Sequence, residues 1–160
     1  HLVPRILAKA DKGRLMRVGK GKNKVDIIYI DNAVSAHLKA CDALSVGNPL
    51  AGKVYFVSDA EPVKLWDWIN DLLIKTQRPP VSRSISYKAA SKLGHLLEGI
   101  YSFFRIKKEP PMTRFMASQL ATSHYFNIFR AKNDFGYEPV VSSEEGMNRL
   151  IQFLSVPQEY

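Results

Sequence analysis

Twice in the middle of this chain a β-favouring run passes straight into a helical run, and this alternation restricts the fold more than any other feature. In KVDIIYIDNAVSAHLKACDAL the strand-like residues Val25–Ile30 precede Ala33, Ala36, Ala40 and Leu44, spaced along one helical face. In GKVYFVSDAEPVKLWDWINDLL the run Lys53–Ser58 precedes a stripe of Leu65, Trp66, Ile69, Leu72 and Leu73. Each helix has one apolar face that must be buried against another layer, so the fold class is α/β. KVYFVS is almost continuous in apolar and β-favouring residues, which predicts a central strand. Asp31 and Asn32 offer an N-cap to the first helix, because their side-chain oxygens can accept from its free amides. Asp59 or Glu61, with Pro62, starts the second.

The flanking segments follow the same physical logic. Leu2, Val3, Ile6 and Leu7 share a helical stripe, with Pro4 in its first turn. Leu15–Val18 and Val25–Ile30 are β-prone and are separated by Gly19-Lys20-Gly21-Lys22-Asn23-Lys24, a hairpin-like connection or loop. Val81–Tyr87 reads as extended, and a helix over Lys88–Phe104 places Leu93, Leu96, Leu97, Ile100 and Phe104 on one side. After Glu109-Pro110-Pro111 come a helix over Met112–Ala121, an extended piece Tyr125–Ile128 and a helix Arg130–Phe135 closed by Gly136. Ser142 and Glu145 form a capping-box pair for a last helix burying Met147, Leu150, Ile151 and Leu154 before Pro157.

With 160 residues, 46% hydrophobic and 24% charged, the composition suits one globular domain with its own core. No stretch approaches the roughly 18 uncharged apolar residues of a membrane-spanning helix. A lone cysteine, Cys41, excludes an internal disulfide and fits a reducing cytoplasm, the expected location. The net charge of +8 is concentrated: Arg5, Lys9, Lys12, Arg14, Arg17, Lys20, Lys22 and Lys24 face only Asp11 within residues 1–24. Such a patch suits nucleic acid, an anionic membrane surface, an anionic ligand or simply solvent. Zinc spacing, a ribonucleoprotein motif and a recognition helix are all missing, so no nucleic-acid partner is expected. The aromatic-then-basic string Tyr101-Ser102-Phe103-Phe104-Arg105-Ile106-Lys107-Lys108 has two readings. One is a segment that touches bilayer headgroups or covers an apolar ligand, hence peripheral membrane contact. The other is a core helix with favourable cations at its end.

Catalytic signatures are missing from these residues. The Gly-x-Gly at 19–21 leads toward a strand rather than a helix and lacks a following Gly-Lys-Ser/Thr, which argues against a phosphate loop. None of the seven tyrosines has a lysine four residues on, and there is neither a glycine-flanked serine elbow nor an HExxH. His37 and Cys41 have the spacing of a metal pair but no convergent third ligand, so a packed histidine and a small buried thiol are expected. Catalytic, cofactor-binding and metal residues are therefore all expected to be none.

The two strand-helix phrases, followed by FNIFRAKNDFGYEPVVSSEEGMNRLIQFL with its Lys-x-x-x-x-Gly-Tyr-x-Pro element, resemble the C-terminal half of the extended short-chain dehydrogenase/reductase family. HLVPRIL and YFVSDAEPVKLWDW are most similar to its 3β-hydroxysteroid dehydrogenase/isomerase branch, close to bacterial 2-alkyl-3-ketoalkanoate reductases. The resemblance implies the C-terminal substrate-binding portion of a Rossmann-type α/β fold, with residues 1–160 as a single substrate-binding region. It also implies that an N-terminal half, not in this chain, holds most of the NAD or NADP contacts and the proton-transfer tyrosine. The implied enzyme interconverts a secondary alcohol and a ketone on a large apolar substrate, a 3β-hydroxysteroid or long-chain 2-alkyl-3-keto acid, and this chain alone is expected to be inactive. His1, Arg5, Tyr29, Met112 and Phe115 are the implied substrate wall, with Met112–Phe115 and the preceding helix as a lid. A homodimer is open to the full-length protein. Rival readings are a nucleotide-sugar epimerase or dehydratase of the same family, and a non-catalytic basic module binding lipid or nucleic acid.

Overall fold

The computed structural model describes residues 2–44 and 49–156, so His1 and Pro157 lie outside the described residues. The α/β class is borne out. In chain order the elements are α1 (Leu2–Asp11), β1 (Arg17–Val18), β2 (Lys24–Val25), α2 (Ile30–Ala43), β3 (Val63–Lys64), α3 (Leu65–Lys75), β4 (Ser84–Ile85), α4 (Tyr87–Phe103), α5 (Arg114–Ala121), α6 (Phe129–Phe135) and α7 (Ser143–Ser155). They sort into two compact units, each built from two separate stretches, with crossings at 24/25, 63/64 and 124/125.

The first unit comprises residues 1–24 and 64–124. Its core is the apolar stripe of α3 (Trp66, Ile69, Leu72, Leu73), with Ile6 and Leu7 from α1 and Val18 from β1. Trp66 Nε1 donates to Leu120 O at 3.0 Å, so the buried indole keeps a partner. Arg78 closes α1 onto the end of α3 by donating from Nε and Nη2 to the two Asp11 oxygens at 2.6 and 3.2 Å.

Of the two readings of residues 19–24, a hairpin-like connection or a loop, the loop holds. β1 instead pairs in parallel with β4, Arg17 opposite Ser84 and Val18 opposite Ile85. The cause lies in the loop. Gly19 takes φ +75°, a left-handed conformation that turns the chain off the β1 line. Lys24 is then claimed by a distant segment: its N–H donates to Ser123 Oγ and its carbonyl accepts from His124 N, each at 2.9 Å.

α4 decides a second such choice. Of the two readings of its leucine-rich side the core helix fails: α4 buries Ala90 and Gly94, while Leu93, Leu96, Ile100 and Phe104 are exposed and Leu97 is half-buried. Gly94 decides the orientation. A Cβ there would stand 2.6 Å from Thr113 C and 2.7 Å from Arg114 N, so α4 lies against α5 with backbone touching backbone.

The second unit comprises residues 25–63 and 125–160. Ala36, Ala131 and Tyr137 form its centre, with Tyr55, Val57, Ile128 and Phe135 packed around it. KVYFVS is extended but joins no ladder among the described residues. Tyr55 and Val57 turn inward, whereas Val54 and Phe56 are 76% and 53% exposed, a one-sided rather than doubly covered segment. Both predicted caps also move. α2 begins at Ile30, with Asn32 inside it, because Asp59 Oδ1 accepts from Tyr29 N at 2.9 Å and from Asn32 Nδ2 at 2.7 Å. With its carboxylate so engaged, Asp59 starts no helix, and α3 begins later, at Leu65. Gly136, at φ +67°, closes α6, and Ser142 Oγ accepts from Glu145 N at 3.2 Å at the start of α7, both as expected.

Candidate functional site

Because β1 and β4 run in the same direction, their carboxyl ends meet at one edge of the first unit. After β1 the chain turns at Gly19 into the Lys20–Asn23 loop. After β4 it enters α4 through Ser86, whose Oγ accepts from Ala89 N at 3.2 Å. Loop and helix start face each other across a groove of about 760 Å³, with Thr122 and Ser123 along its side. Parallel strands that open onto a helix N-terminus are where α/β folds gather ligands, since the first amides of the helix are unpaired and carry the positive end of its dipole.

The groove is strongly one-signed. Lys20, Lys22 and Lys88 line it, no carboxylate does, and none of the ion pairs among the described residues uses these three lysines. Asn23, only 5% exposed, lines it from below. Its Nδ2 donates to Thr122 O at 3.4 Å, while its Oδ1 is buried without a partner, a position that an incoming donor would satisfy. Gly19 fits tightly here, because a Cβ would lie 3.3 Å from Ala121 Cβ. The arrangement can bind an anionic head group and leave hydroxyls at Ser84, Ser86 and Ser123 for further hydrogen bonds.

The resemblance-derived wall residues are distributed over both units. His1 lies outside the described residues. Arg5 donates to Glu109 at 3.2 Å, tying α1 to the segment that leads to half-buried Met112. Phe115 lies three residues further, in the first turn of α5, and is 73% exposed. Tyr29 belongs to the second unit. There its ring faces Gly146, where a Cβ would lie 3.1 Å away, and the Arg149 guanidinium sits 5.9 Å from its centroid. The lysines, serines and Asn23 of the groove were not singled out as a site by sequence. Their only signal was the basic cluster, because the partner element α4 reaches the loop through a pairing of residues 67 apart in sequence, Arg17 with Ser84.

No group of metal-binding residues occurs among the described residues. Cys41 is exposed rather than buried, and His37 is exposed too, its Nδ1 2.7 Å from Ala33 O. Two tyrosines have raised pKa values for structural reasons. Burial, then the Asp59 charge, pushes Tyr137 up to about 12, and burial, then the hydrogen bond to Asp134, raises Tyr55. Each hydroxyl is committed, Tyr137 to Ser58 O at 2.9 Å and Tyr55 to Asp134 Oδ2 at 2.7 Å. The described residues do not form a dinucleotide cradle. Gly19 and Gly21 lead to β2, and the turn from β4 into α4 carries Ser86, Tyr87 and Lys88 where a pyrophosphate needs glycines for close approach.

Residues 1–88 match the 3-beta hydroxysteroid dehydrogenase/isomerase family. A 2-alkyl-3-oxoalkanoate reductase of Stenotrophomonas maltophilia (strain K279a) is 47% identical over 150 residues, 94% of this chain and 46% of that protein. One from Shewanella oneidensis is 46% identical, covering 94% of this chain and 39% of that protein. The mouse (Mus musculus) sterol-4-alpha-carboxylate 3-dehydrogenase, decarboxylating, is 30% identical, covering 95% and 43%. The chain thus spans less than half the length of these curated relatives. The crystal structure of gox2253 superposes with a TM-score of 0.58 at 19% identity, covering 94% of this chain and 42% of that one, a likeness of fold.

Proposed function

This chain belongs to the 3-beta hydroxysteroid dehydrogenase/isomerase family, and we propose that it is the substrate-binding part of an oxidoreductase that uses NAD or NADP to interconvert a secondary alcohol and a ketone. The observation that carries the proposal is the 47% identity, over 94% of this chain, to a 2-alkyl-3-oxoalkanoate reductase. The substrate is a large apolar molecule with a carboxylate, a long-chain 2-alkyl-3-oxo acid in preference to a steroid. Both relatives' names denote a carboxylate near the reacting carbon, and the lysine groove supplies the complementary charge. Lys20, Lys22 and Lys88 hold that carboxylate, and the amides at the start of α4 add to their attraction. The nicotinamide, which supplies the hydride chemistry, and the proton-transfer tyrosine belong to sequence outside these 160 residues.

Within the first unit, Arg5, Met112 and Phe115 wall the apolar part. The Arg5–Glu109 pair positions the approach to Met112, and Phe115 offers a largely uncovered ring to an alkyl chain. The test uses the full-length protein: NAD(P)H consumption with a long-chain 2-alkyl-3-oxo acid, NAD(P)+ reduction with a 3β-hydroxysteroid, and product analysis with a nucleotide sugar. Turnover of the acid is expected. Turnover of the nucleotide sugar alone, or of nothing, contradicts the reading. Phe115→Ala leaves folding intact, given its exposure, and should raise KM for the acid about tenfold with kcat little changed.

A further inference from the structure

The groove of the first unit places charge where the fold itself gains nothing from it. Lys88 stands in the first turn of α4, at the positive end of the helix dipole, and that turn holds no acidic residue. Lys20 and Lys22 face it, no carboxylate lines the space, and all three are exposed cations outside every ion pair among the described residues. Beside them Asn23, almost wholly buried, holds an Oδ1 without a partner, and Ser84, Ser86 and Ser123 add hydroxyls. Like charges gathered with nothing to neutralise them form an anion site.

An acid with a ketone on its β-carbon brings a hazard into such a site. The bond between its carboxyl and C2 breaks readily: the electron pair passes to C2 and on to the 3-oxygen, carbon dioxide leaves, and the enolate takes a proton at C2 to become a plain ketone. A protonated carboxyl reacts faster, because it hands its own proton to the 3-oxygen within a cyclic transition state. Whatever polarises the 3-oxo group for hydride also draws that electron pair. A reductase of such acids therefore needs an opposing force.

We propose that the groove is that force: Lys20, Lys22 and Lys88 protect the bound oxo acid from decarboxylation, a role that rests on the oxo acid being the substrate. Loss of carbon dioxide moves the negative charge off the carboxylate and away from the three cations, so their attraction lowers the ground state more than the transition state. The same cations favour the ionised carboxylate over the acid, which removes the faster route. Asn23 Oδ1 offers any remaining carboxyl proton an acceptor other than the 3-oxygen. The opposite chemistry, in which a lysine amine condenses with the ketone and speeds decarboxylation, calls for an amine desolvated in an apolar pocket, and these three are exposed.

The test mixes a long-chain 2-alkyl-3-oxo acid, isotopically labelled in its carboxyl, with an excess of full-length protein and NAD(P)+, which cannot reduce it. Labelled carbon dioxide and ketone are followed with time, and ultrafiltration reads the fraction of acid bound. Bound acid should lose carbon dioxide at least about tenfold more slowly than free acid. Lys20→Gln with Lys22→Gln, brought to the same saturation, should lose most of that protection. Lys20→Arg with Lys22→Arg should keep it, since arginine carries the charge without a nucleophilic amine. These substitutions fall on exposed side chains and should leave the circular dichroism unchanged. Reduction of the same acid with NAD(P)H, run alongside, reports the substrate reading separately. If the acid is reduced, yet when bound loses carbon dioxide as fast as in buffer or faster, the protective role is overturned and the substrate reading stands. Equal protection in the glutamine variant, or borohydride trapping of the acid on a lysine, overturns it in the same way. If the acid is neither bound nor reduced, both fall together.

Discussion

Asn32 uses its whole amide. Nδ2 donates to Asp59 Oδ1 and Val141 O, each at 2.7 Å, and Oδ1 accepts from Val140 N at 2.7 Å and Val141 N at 2.9 Å. One fully buried side chain thereby joins α2, the turn after KVYFVS and the approach to α7. Asn32→Ala should cost about 3 kcal/mol in urea unfolding, since it strands two amides and a buried carboxylate. Asn32→Asp should cost at least as much at neutral pH, because it sets a second carboxylate against Asp59. Tyr137 makes a different demand. Its hydroxyl, fully buried and donating to Ser58 O, ionises only near 12 in the folded state, against an ordinary value of 10.0. Unfolded chains therefore lose this proton first, and the stability it contributes is complete below about pH 10 and falls as pH rises toward 12. Tyr137→Phe should flatten that alkaline fall in a denaturation series run across the window.

The helices show what a sequence can reveal by itself. α3 carries its stripe, α6 its stop and α7 its cap within a few neighbouring residues, so Leu72, Gly136 and Ser142 behave as their spacing predicts. Strands do not, because a ladder is a contract with a distant segment: β1 finds β4, and Lys24 finds Ser123 and His124. The orientation of α4 was hidden for the same reason, since hydrophobicity marks a face without saying whether a close backbone contact elsewhere will outrank it. Gly94 is that contact, and it gives a paired test. Gly94→Ala should destabilise by about 2 kcal/mol despite the better helix propensity of alanine, because its Cβ would press on Thr113 and Arg114 backbone. Gly99→Ala meets nothing within 4 Å and should stabilise by up to about 1 kcal/mol. If thermal melts rank the two the other way, the packing of α4 on α5 is wrong.

At the scale of the molecule, charge and topology converge on the groove. The basic character of residues 1–24 was visible from composition, but its purpose was not, because a surface cation and a binding cation look alike until the fold shows what faces them. Two of these lysines, Lys20 and Lys22, face a third, Lys88, across the carboxyl ends of a parallel strand pair. Under the proposed function those cations meet the carboxylate of an oxo or hydroxy acid. The decisive measurement is steady-state oxidation of a long-chain 2-alkyl-3-hydroxy acid and of its methyl ester by the full-length protein, compared with its Lys20→Gln, Lys22→Gln variant. A rise in KM of about tenfold for the acid, with kcat kept and the ester unaffected, is the expected result. Equal changes for acid and ester, or no change for either, would contradict a groove built to hold the substrate's negative end.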